Sequence, residues 1–260
     1  MATARSEALA DVLRAALDEA AAEIDAFRSR APGTEPVTEL DLRLKNLLTG
    51  AITRAWPEVP VIAKDEHADP VEAAEALPDT CVLLAPRDGS SPSRQGSSDV
   101  AITAFRIRAG FPVQSIVDLP AYGIRVEVDR GMLSVTGDVG RLPVFAPGTL
   151  LTGARHLDRA RQMLPGLPVE QIPTSSVAIA MALVALGRAH AAACLPTSDG
   201  GATSWDYGAA ALAVHSAGGK AVAPDGSDLA HSRPRVHPGW LGTRTAQLAA
   251  DLAPLMASQC

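Results

Sequence analysis

Acidic residues follow short apolar runs at three places in the chain, and these residues could carry chemistry. The three segments are PVIAKDE at 60–66, LAPRDGSS at 84–91 and SWDYGAAALAVHSAGG at 204–219. Strand ends and helix starts can converge in a folded domain, so these carboxylates could meet at one place. Carboxylate oxygens suit Mg²⁺, and backbone N–H groups at a Gly-Ser turn or a helix N-terminus can hold a phosphate. The pattern therefore indicates a site for metal-assisted chemistry on a phosphate.

In this order, the three segments resemble motifs of the inositol monophosphatase superfamily, which includes the phosphoadenosine-phosphate phosphatases and fructose bisphosphatases. The family has a Glu-Glu pair after a strand, an Asp-Pro-x-Asp-Gly-Thr loop, and a Trp-Asp-x-Ala-Ala/Gly helix that runs into Ala-Gly-Gly. Segments 37–41 and 175–187 also resemble its early acidic segment and its Ser-capped core helix. The resemblance covers most of the chain and implies a fold of mixed α+β and α/β class, a layered α-β-α-β-α sandwich.

The resemblance also implies a set of metal ligands. In the family, two or three Mg²⁺ ions activate a water for in-line attack on a phosphomonoester. Carried over to this sequence, the second Asp of the loop is Asp88, and the Asp after Trp is Asp206. A one-residue slip in the acidic pair would make Asp65 a ligand as well. The expected cofactor is therefore Mg²⁺ in a reduced site formed by Asp65, Asp88 and Asp206.

Two positions depart from the family pattern. Ala85 stands where the family has the loop Asp that bridges two metals, and a methyl group cannot ligate a metal. Lys64 falls on the metal-binding Glu of the pair, and Arg87 directly precedes Asp88. Cations close to carboxylates or a phosphate can offset their charge, so Lys64 and Arg87 could stand in for a lost metal. The alternative is that both side chains point outward into solvent, as most Lys and Arg side chains do.

The loop after the second acidic segment is the expected substrate-binding element. Gly89 continues the family's Asp-Gly motif, and Ser90 and Ser91 occupy the Thr-Thr positions that orient the attacking water in the family. A polar turn explains the same residues without chemistry. Asp199, seven residues before Asp206, could replace the family's substrate-recognising acid, although its Gly-rich surroundings also fit a flexible connection.

The segment around Asp41 has two interpretations. Asp41 matches the family's outer acidic residue, and Thr38-x-x-Asp41 also resembles a helix capping box with Asp in place of Glu.

The elements that position these residues are predicted from hydrophobic spacing. Helical periodicity indicates amphipathic helices over 5–30 and from Thr38 to before Pro57. Six β-rich runs follow, for which antiparallel pairing is expected, at 60–63, 81–85, 100–108, 112–118, 124–128 and 132–135. Strands at 150–151, 169–172 and 190–195 then alternate with helices at 155–164, 175–186, 206–216 and from about 243. We therefore expect one compact unit with a part at 1–147 that contains the antiparallel sheet and an α/β part at 148–260.

Composition excludes several classes of protein. The chain has 260 residues, 47% of them apolar and 20% charged, which excludes a disordered or fibrous protein. Its net charge is −6 and it has no run of Lys or Arg, so nucleic acid is not an expected partner. Three widely spaced cysteines without a CxxC argue against a disulfide framework and a zinc site. With no signal peptide or apolar run long enough to span a membrane, we expect a cytoplasmic protein.

Three hypotheses about function remain open. The first is a Mg²⁺-dependent phosphomonoesterase that acts on a small sugar, cyclitol or nucleotide phosphate. The second is an enzyme of the same fold with metal-independent chemistry on a small metabolite, in which Lys64, Arg87 and Asp88 provide charge and proton transfer. The third is a non-catalytic protein that binds a phosphorylated metabolite or a partner. The resemblance further implies a homodimer.

Overall fold

Two sheets and six helices form the part of the chain that the structure, a computed structural model, describes. The described residues are 8–28, 37–64, 77–89, 99–172, 174, 176–196, 202–230 and 237–257. The helices are α1 (Leu9–Arg28), α2 (Val37–Ala55), α3 (Leu157–Met163), α4 (Val177–Ala185), α5 (Ser204–Ser216) and α6 (Ala246–Ala257). The strands are β1 (Val61–Ala63), β2 (Cys81–Asp88), β3 (Ala101–Arg108), β4 (Phe111–Leu119), β5 (Ile124–Asp129), β6 (Met132–Thr136), β7 (Leu150–Thr152), β8 (Val169–Gln171), β9 (Ala191–Cys194), β10 (Lys220–Val222) and β11 (Trp240–Thr243).

The first sheet has six strands in the order β1-β2-β3-β4-β5-β6. The prediction of antiparallel pairing is confirmed for β2 to β6 and is wrong for β1, which runs parallel to β2. Residues 64–80, which connect the two strands, are numerous enough for the crossover that parallel pairing requires. The carboxyl ends of β1 and β2 therefore lie at the same edge of the sheet.

The second sheet has five strands in the order β10-β11-β9-β7-β8. Strand β7 is parallel to both β8 and β9, whereas β11 is antiparallel to β9 and to β10. Strands β10 and β11 have three and four residues and were not predicted, because runs this short carry almost no periodicity.

Five layers result from how the helices cover these sheets. Helices α1 and α2 pack on one face of the first sheet, against side chains such as Val82 and Ile102. Helices α4 and α5 are buried between the two sheets, against Phe105 on one side and Ala192 on the other. Helices α3 and α6 cover the outer face of the second sheet. The predicted α-β-α-β-α sandwich is confirmed.

The predicted helices occur with small shifts in their ends. Helix α2 begins at Val37, so Thr38 lies inside the helix and not at the cap position that the sequence indicated. Helix α4 begins after Ser176, whose Oγ accepts a hydrogen bond from the Ile179 N–H at 3.0 Å, in agreement with the predicted Ser cap. None of the described helices is both long and apolar enough to cross a membrane.

The contact between α5 and the first sheet depends on one glycine. A Cβ on Gly208 would lie 2.5 Å from Cζ of Phe105, a distance that real Cβ contacts do not show, and the Phe105 side chain is buried in the core. We expect Gly208→Ala to lower the free energy of unfolding by ~1–3 kcal/mol, although Ala favours helices. Chemical denaturation followed by circular dichroism measures this.

The matched control is Gly50→Ala in α2, where the new Cβ would meet only the end of the Arg54 side chain at 3.4 Å. This substitution is expected to raise stability by ~0.5–1 kcal/mol. Equal effects of the two substitutions would contradict the packing described for α5.

Candidate functional site

The candidate site lies where the carboxyl ends of β1 and β2 meet the N-termini of α4 and α5. The Trp205 indole N–H donates to the Ile62 carbonyl oxygen at 2.9 Å and joins the first turn of α5 to β1. The Lys64 N–H donates to the Leu84 carbonyl oxygen at 2.8 Å, which extends the β1–β2 pairing by one residue. These contacts place Lys64 beside the end of β2 and the start of α5.

A β-bulge in β2 decides which side chains face the site. Ala85 pairs with Thr103 and Asp88 with Ala101, so three steps along β2 match two steps along β3. Because side chains alternate between faces, Arg87 would share the face of Ala85 in a regular strand. The extra residue places Asp88 on that face instead. The bulge therefore directs a carboxylate, and not a guanidinium, toward α4.

Arg87 lies on the opposite face of the sheet, against α2. Its Nε donates to Asp41 Oδ1 at 2.5 Å and one terminal nitrogen donates to Asp41 Oδ2 at 2.8 Å. Only 2% of the Arg87 side chain is exposed, so the alternative of a solvated, outward-pointing side chain is wrong for this residue. Its charge is balanced by Asp41 and not directed at Asp88. The catalytic role of Arg87 stays a prediction to which the geometry adds no support.

Asp88 is bound to the N-terminus of α4. Its Oδ2 accepts hydrogen bonds from the Ser176 hydroxyl at 2.6 Å and from the Ala178 N–H at 2.8 Å. Among the described residues, none donates to its Oδ1. The carboxylate is thus fixed through one oxygen and presents the other to the site.

Burial first, and then the nearby negative charge of Asp206, raise the pKa of Asp88 from 3.8 to about 6. Lys64, the Ser176 hydroxyl and the Ala178 N–H act in the opposite direction and are weaker. A carboxyl group with a pKa in this range can both hold and release a proton near neutral pH, as general acid–base catalysis requires.

Asp206 is held in place through both carboxylate oxygens. Oδ2 accepts hydrogen bonds from the Thr203 N–H at 3.0 Å and the Thr203 hydroxyl at 2.8 Å. Oδ1 accepts from Lys64 Nζ at 2.5 Å, in an ion pair whose Lys64 side chain is 28% exposed. An ammonium group therefore lies directly against the carboxylate that was predicted to bind metal.

The described residues do not fit the magnesium ion that the family resemblance implies. Ala85 offers a methyl group, which cannot ligate a metal. Both carboxylate oxygens of Asp206 already accept hydrogen bonds, one of them from Lys64 Nζ. The positive charge of Lys64 therefore lies against a carboxylate that would have to bind the magnesium ion. In the part of the chain that the structure describes, no three His, Cys, Asp or Glu residues come together as a metal site would require.

The remaining predicted site residues fall into two groups. Gly89 is described: it is buried with φ of +96°, and a Cβ there would lie 3.0 Å from the Ser176 Cβ, so this position needs glycine. Asp65, Ser90, Ser91 and Asp199 lie outside the described residues, and their roles stay predictions.

Two residues at the site were given no role there by sequence reasoning. Ser176 lies in the segment that was predicted only as a Ser-capped helix, yet its hydroxyl also donates to Asp88. Thr203 was overlooked, although Thr203-x-x-Asp206 has the spacing of a capping box and could have been found from it.

The unfavourable burial of a charged Asp88 leads to a prediction about stability. Because folding raises the pKa of Asp88, the contribution of this residue to the free energy of unfolding falls as the pH rises from about 4 to about 6 and stays low at higher pH. In Asp88→Asn, the amide oxygen can still accept from Ser176 and Ala178 without a buried charge. We expect this variant to be more stable than wild type by ~1–2 kcal/mol at pH 8 and to lose this advantage toward pH 4.

Urea denaturation at a series of pH values measures the difference. Asp138→Asn, which alters an exposed cap of the 3₁₀ turn Val139–Arg141, is the control and should show no such pH-dependent gain. An Asp88→Asn variant that is less stable than wild type at pH 8 would contradict the raised pKa.

Comparisons with known proteins show what the fold resembles. No protein-family model matches the chain, and no curated protein matches it. Among solved structures, inositol monophosphatase II from Staphylococcus aureus MSSA476 superposes with a TM-score of 0.73 at 14% identity, over 95% of each chain. The inositol monophosphatase from Anabaena (Nostoc) sp. PCC 7120 gives 0.70 at 18% identity, over 95% of this chain and 94% of that one. The extragenic suppressor protein suhB from Bartonella henselae gives 0.72 at 16% identity, over 96% and 98%. The chain therefore has the fold of the inositol monophosphatase superfamily, which its motifs had predicted.

Proposed function

We propose that this chain is an enzyme that acts on a small phosphorylated metabolite without a resident metal ion, at the site formed by Lys64, Asp88 and Asp206. Structures with the same fold support the ligand class: one holds SaIMPase-II with inositol monophosphate and another with 2′-AMP. These are a phosphorylated cyclitol and a nucleotide. The substrate proposed here is of this kind, a phosphate ester of a small polyol, sugar or nucleoside.

The observation that carries the proposal is the ion pair between Lys64 Nζ and Asp206 Oδ1 at 2.5 Å. It places a fixed positive charge at the meeting point of two helix N-termini, each of which favours anions. Because 28% of the Lys64 side chain is exposed, a phosphate can approach the ammonium group from solvent. Lys64 would thus bind the phosphate of the substrate through charge-assisted hydrogen bonds.

Asp88 is the group that we assign to proton transfer. Its Oδ2 is fixed by Ser176 and Ala178, so Oδ1 is the atom that can take or give a proton. Its pKa of about 6 allows both states within one pH unit of neutrality. Loss of the Ser176 hydroxyl would remove one of the two contacts that orient this carboxylate. The protein thus positions one acid–base group and one cation around the bound ester.

A metal-assisted phosphomonoesterase remains the second candidate, because one observation favours it. Asp88 Oδ1 accepts no hydrogen bond from any described residue, so one carboxylate oxygen is available to a cation as well as to a proton. This candidate requires that Asp65 supply a further ligand, as the sequence predicted. The two candidates differ in their response to removal of divalent metals.

We expect turnover of a panel of small phosphate esters to be unchanged by EDTA and unchanged by added Mg²⁺. In Lys64→Met, the loss of a charge-assisted hydrogen bond to the phosphate should lower kcat/KM by ~10- to 100-fold. Product formation is followed by mass spectrometry and by phosphate release, so that both hydrolysis and other changes of the ester are detected.

The matched control is Lys220→Met, because Lys220 forms a similar ion pair with Asp228 at 2.7 Å on β10, outside the site. It should leave kcat/KM within about twofold of wild type, and Asp88→Asn should lower kcat by at least ~10²-fold. Loss of activity in EDTA with recovery in Mg²⁺ would favour the second candidate. Binding of the esters without any turnover would favour a non-catalytic binding protein.

Substitution of the residues that disfavour magnesium tests why this ion does not fit the site. Ala85 faces the site on the same side of β2 as Asp88, so Ala85→Asp combined with Lys64→Glu replaces a methyl group and a cation by two carboxylates. Three or four neighbouring acids repel one another unless a cation joins them. We expect this double variant to bind Mg²⁺ at least ~10-fold more tightly than wild type in calorimetry.

The single variant Ala85→Asp is the control. It retains Lys64, whose ammonium group can pair with the new carboxylate, so little gain in Mg²⁺ affinity is expected. Tight Mg²⁺ binding by the wild-type protein would contradict the assignment of Lys64 as the resident cation.

A further inference from the structure

Strand β6 (Met132–Thr136) is an open edge of the first sheet. Among the strands that the structure describes, β6 pairs only with β5, so its other side has no strand beside it. Its apolar side chains are accessible, since Met132 is 70% exposed and Val135 is 37% exposed. The strand has no charged residue and no proline, which usually protect a free edge from pairing. An edge of this kind is suited to pairing with a further strand.

The hairpin turn between β5 and β6 fixes which backbone groups face the open edge. Arg130 and Gly131 form a two-residue turn, and both have positive φ, +50° and +75°. The residues on either side of such a turn are a hydrogen-bonded pair. Because hydrogen-bonded and non-hydrogen-bonded pairs alternate along an antiparallel ladder, Leu133 and Val135 direct their N–H and C=O groups away from β5. Two residues of β6 thus present backbone donors and acceptors at the edge.

The segment 130–138, RGMLSVTGD, is self-complementary about its central residue, Ser134. Outward from Ser134, each direction has an apolar residue, then an uncharged residue, then a glycine. The next residues carry opposite charges, Arg130 on one side and Asp138 on the other. Antiparallel pairing of two copies about Ser134 therefore sets each Arg130 against the Asp138 of the second copy.

The same register also joins the backbone groups. Leu133 of one copy lies opposite Val135 of the other, and each such pair can exchange two hydrogen bonds across the open edge. Pairing centred on Leu133 or on Val135 would also join backbone groups, but it would separate Arg130 from Asp138. Only the register about Ser134 satisfies the backbone and the charges together.

Both charged residues are accessible to a second copy. Arg130 contacts Asp129 only loosely, at 3.9 Å, and 74% of the Arg130 side chain is exposed. Asp138 is exposed, and its Oδ1 accepts from the Gly140 N–H at 2.9 Å in the 3₁₀ turn that follows β6. Opposite charges that face each other across an antiparallel pair stabilise it, and like charges destabilise it. The two ends of β6 therefore favour a second copy in one register.

We propose that this chain forms a homodimer through β6, in which two copies pair antiparallel about Ser134 and join their six-stranded sheets edge to edge. The self-complementary order of charges and apolar residues argues for a second copy and not for an unrelated strand. A short strand buries a small interface, so the dimer dissociates reversibly. Strands β6 and β1 form opposite edges of the sheet, so the dimer leaves the site at Lys64 open and does not depend on the proposed function.

Charge reversal tests the pairing of Arg130 with Asp138. Arg130→Asp sets carboxylates against each other, and Asp138→Arg sets guanidinium groups against each other, at two contacts per dimer. Each variant alone should therefore raise the dimer dissociation constant at least ~10-fold in sedimentation equilibrium. An equal mixture of the two variants restores opposite charges at both contacts, so it should form a heterodimer within about threefold of the wild-type affinity. Arg161→Asp, at an exposed residue of α3, is the control and should leave dimerisation unchanged.

Disulfide formation tests the position of the two-fold axis. In the proposed register the two Ser134 residues face each other as a non-hydrogen-bonded pair with Cα atoms ~4.5 Å apart, which suits a disulfide. Ser134→Cys should therefore link two copies under mild oxidation, with the bond between the two substituted positions identified by mass spectrometry. Thr136→Cys, on the same face of β6, is the control. It lies opposite Met132 and ~13 Å from its own copy, so it should not form this bond.

A monomer at every protein concentration would overturn the proposal. Dimerisation that neither charge reversal weakens would also overturn it, because the interface would then lie elsewhere, and so would the absence of a heterodimer in the mixture. Circular dichroism shows whether each variant retains the fold. Ser134→Cys leaves the contact of Asp138 with Gly140 intact, so the disulfide decides the register even where Asp138→Arg disturbs the 3₁₀ turn. Equal linking of Ser134→Cys and Thr136→Cys would contradict the register.

Discussion

The burial of two helix N-termini between the sheets is the constraint on which the site depends. The first backbone N–H groups of α4 and α5 have no partner within their own helices and need acceptors inside the protein. Asp88 accepts from the Ala178 N–H, and Asp206 accepts from the Thr203 N–H just before α5. The fold thus needs an acceptor oxygen at each of these two positions, whatever chemistry the site performs. At Asp88 an amide oxygen would meet this need as well, so the buried negative charge itself is not a requirement of the fold.

Lys64 completes the electrostatics of this arrangement. Two buried carboxylates beside each other repel, and an opposite charge must offset them. In a metal enzyme a divalent cation would do so, whereas here the ammonium group of Lys64 lies against Asp206 and lowers the pKa of Asp88 from what burial alone would give. The ammonium group of Lys64 offers one positive charge and three N–H donors, which is the chemistry that the proposed phosphate binding requires. Arg87, in contrast, belongs to the packing of α2 on the first sheet.

The site lies at the carboxyl ends of two neighbouring parallel strands, β1 and β2. Lys64 directly follows β1, and its backbone N–H extends the pairing with β2. Because the two strands run in the same direction, Lys64 and Asp88 come to the same edge of the first sheet.

The hydrophobic periods of the sequence by themselves determined the helices and most strands, because such periods are local, whereas the layered fold was implied by the resemblance of its motifs to the inositol monophosphatase superfamily. The sequence also determined that Asp88, Asp206 and Lys64 belong near one site, since each follows a strand or begins a helix. It did not determine the direction of β1, the strands β10 and β11, or the partner of Arg87. The direction of β1 depends on a crossover between β1 and β2, and the strands β10 and β11 depend on pairing between short segments that are distant in the chain. The partner of Arg87 depends on the single-residue bulge in β2, which exchanges the two faces of the strand. Only the tertiary structure could decide that Lys64 pairs with Asp206 and that Arg87 pairs with Asp41. The two residues of each pair are far apart in the chain, so their contact is fixed by the packing of the elements and not by sequence spacing.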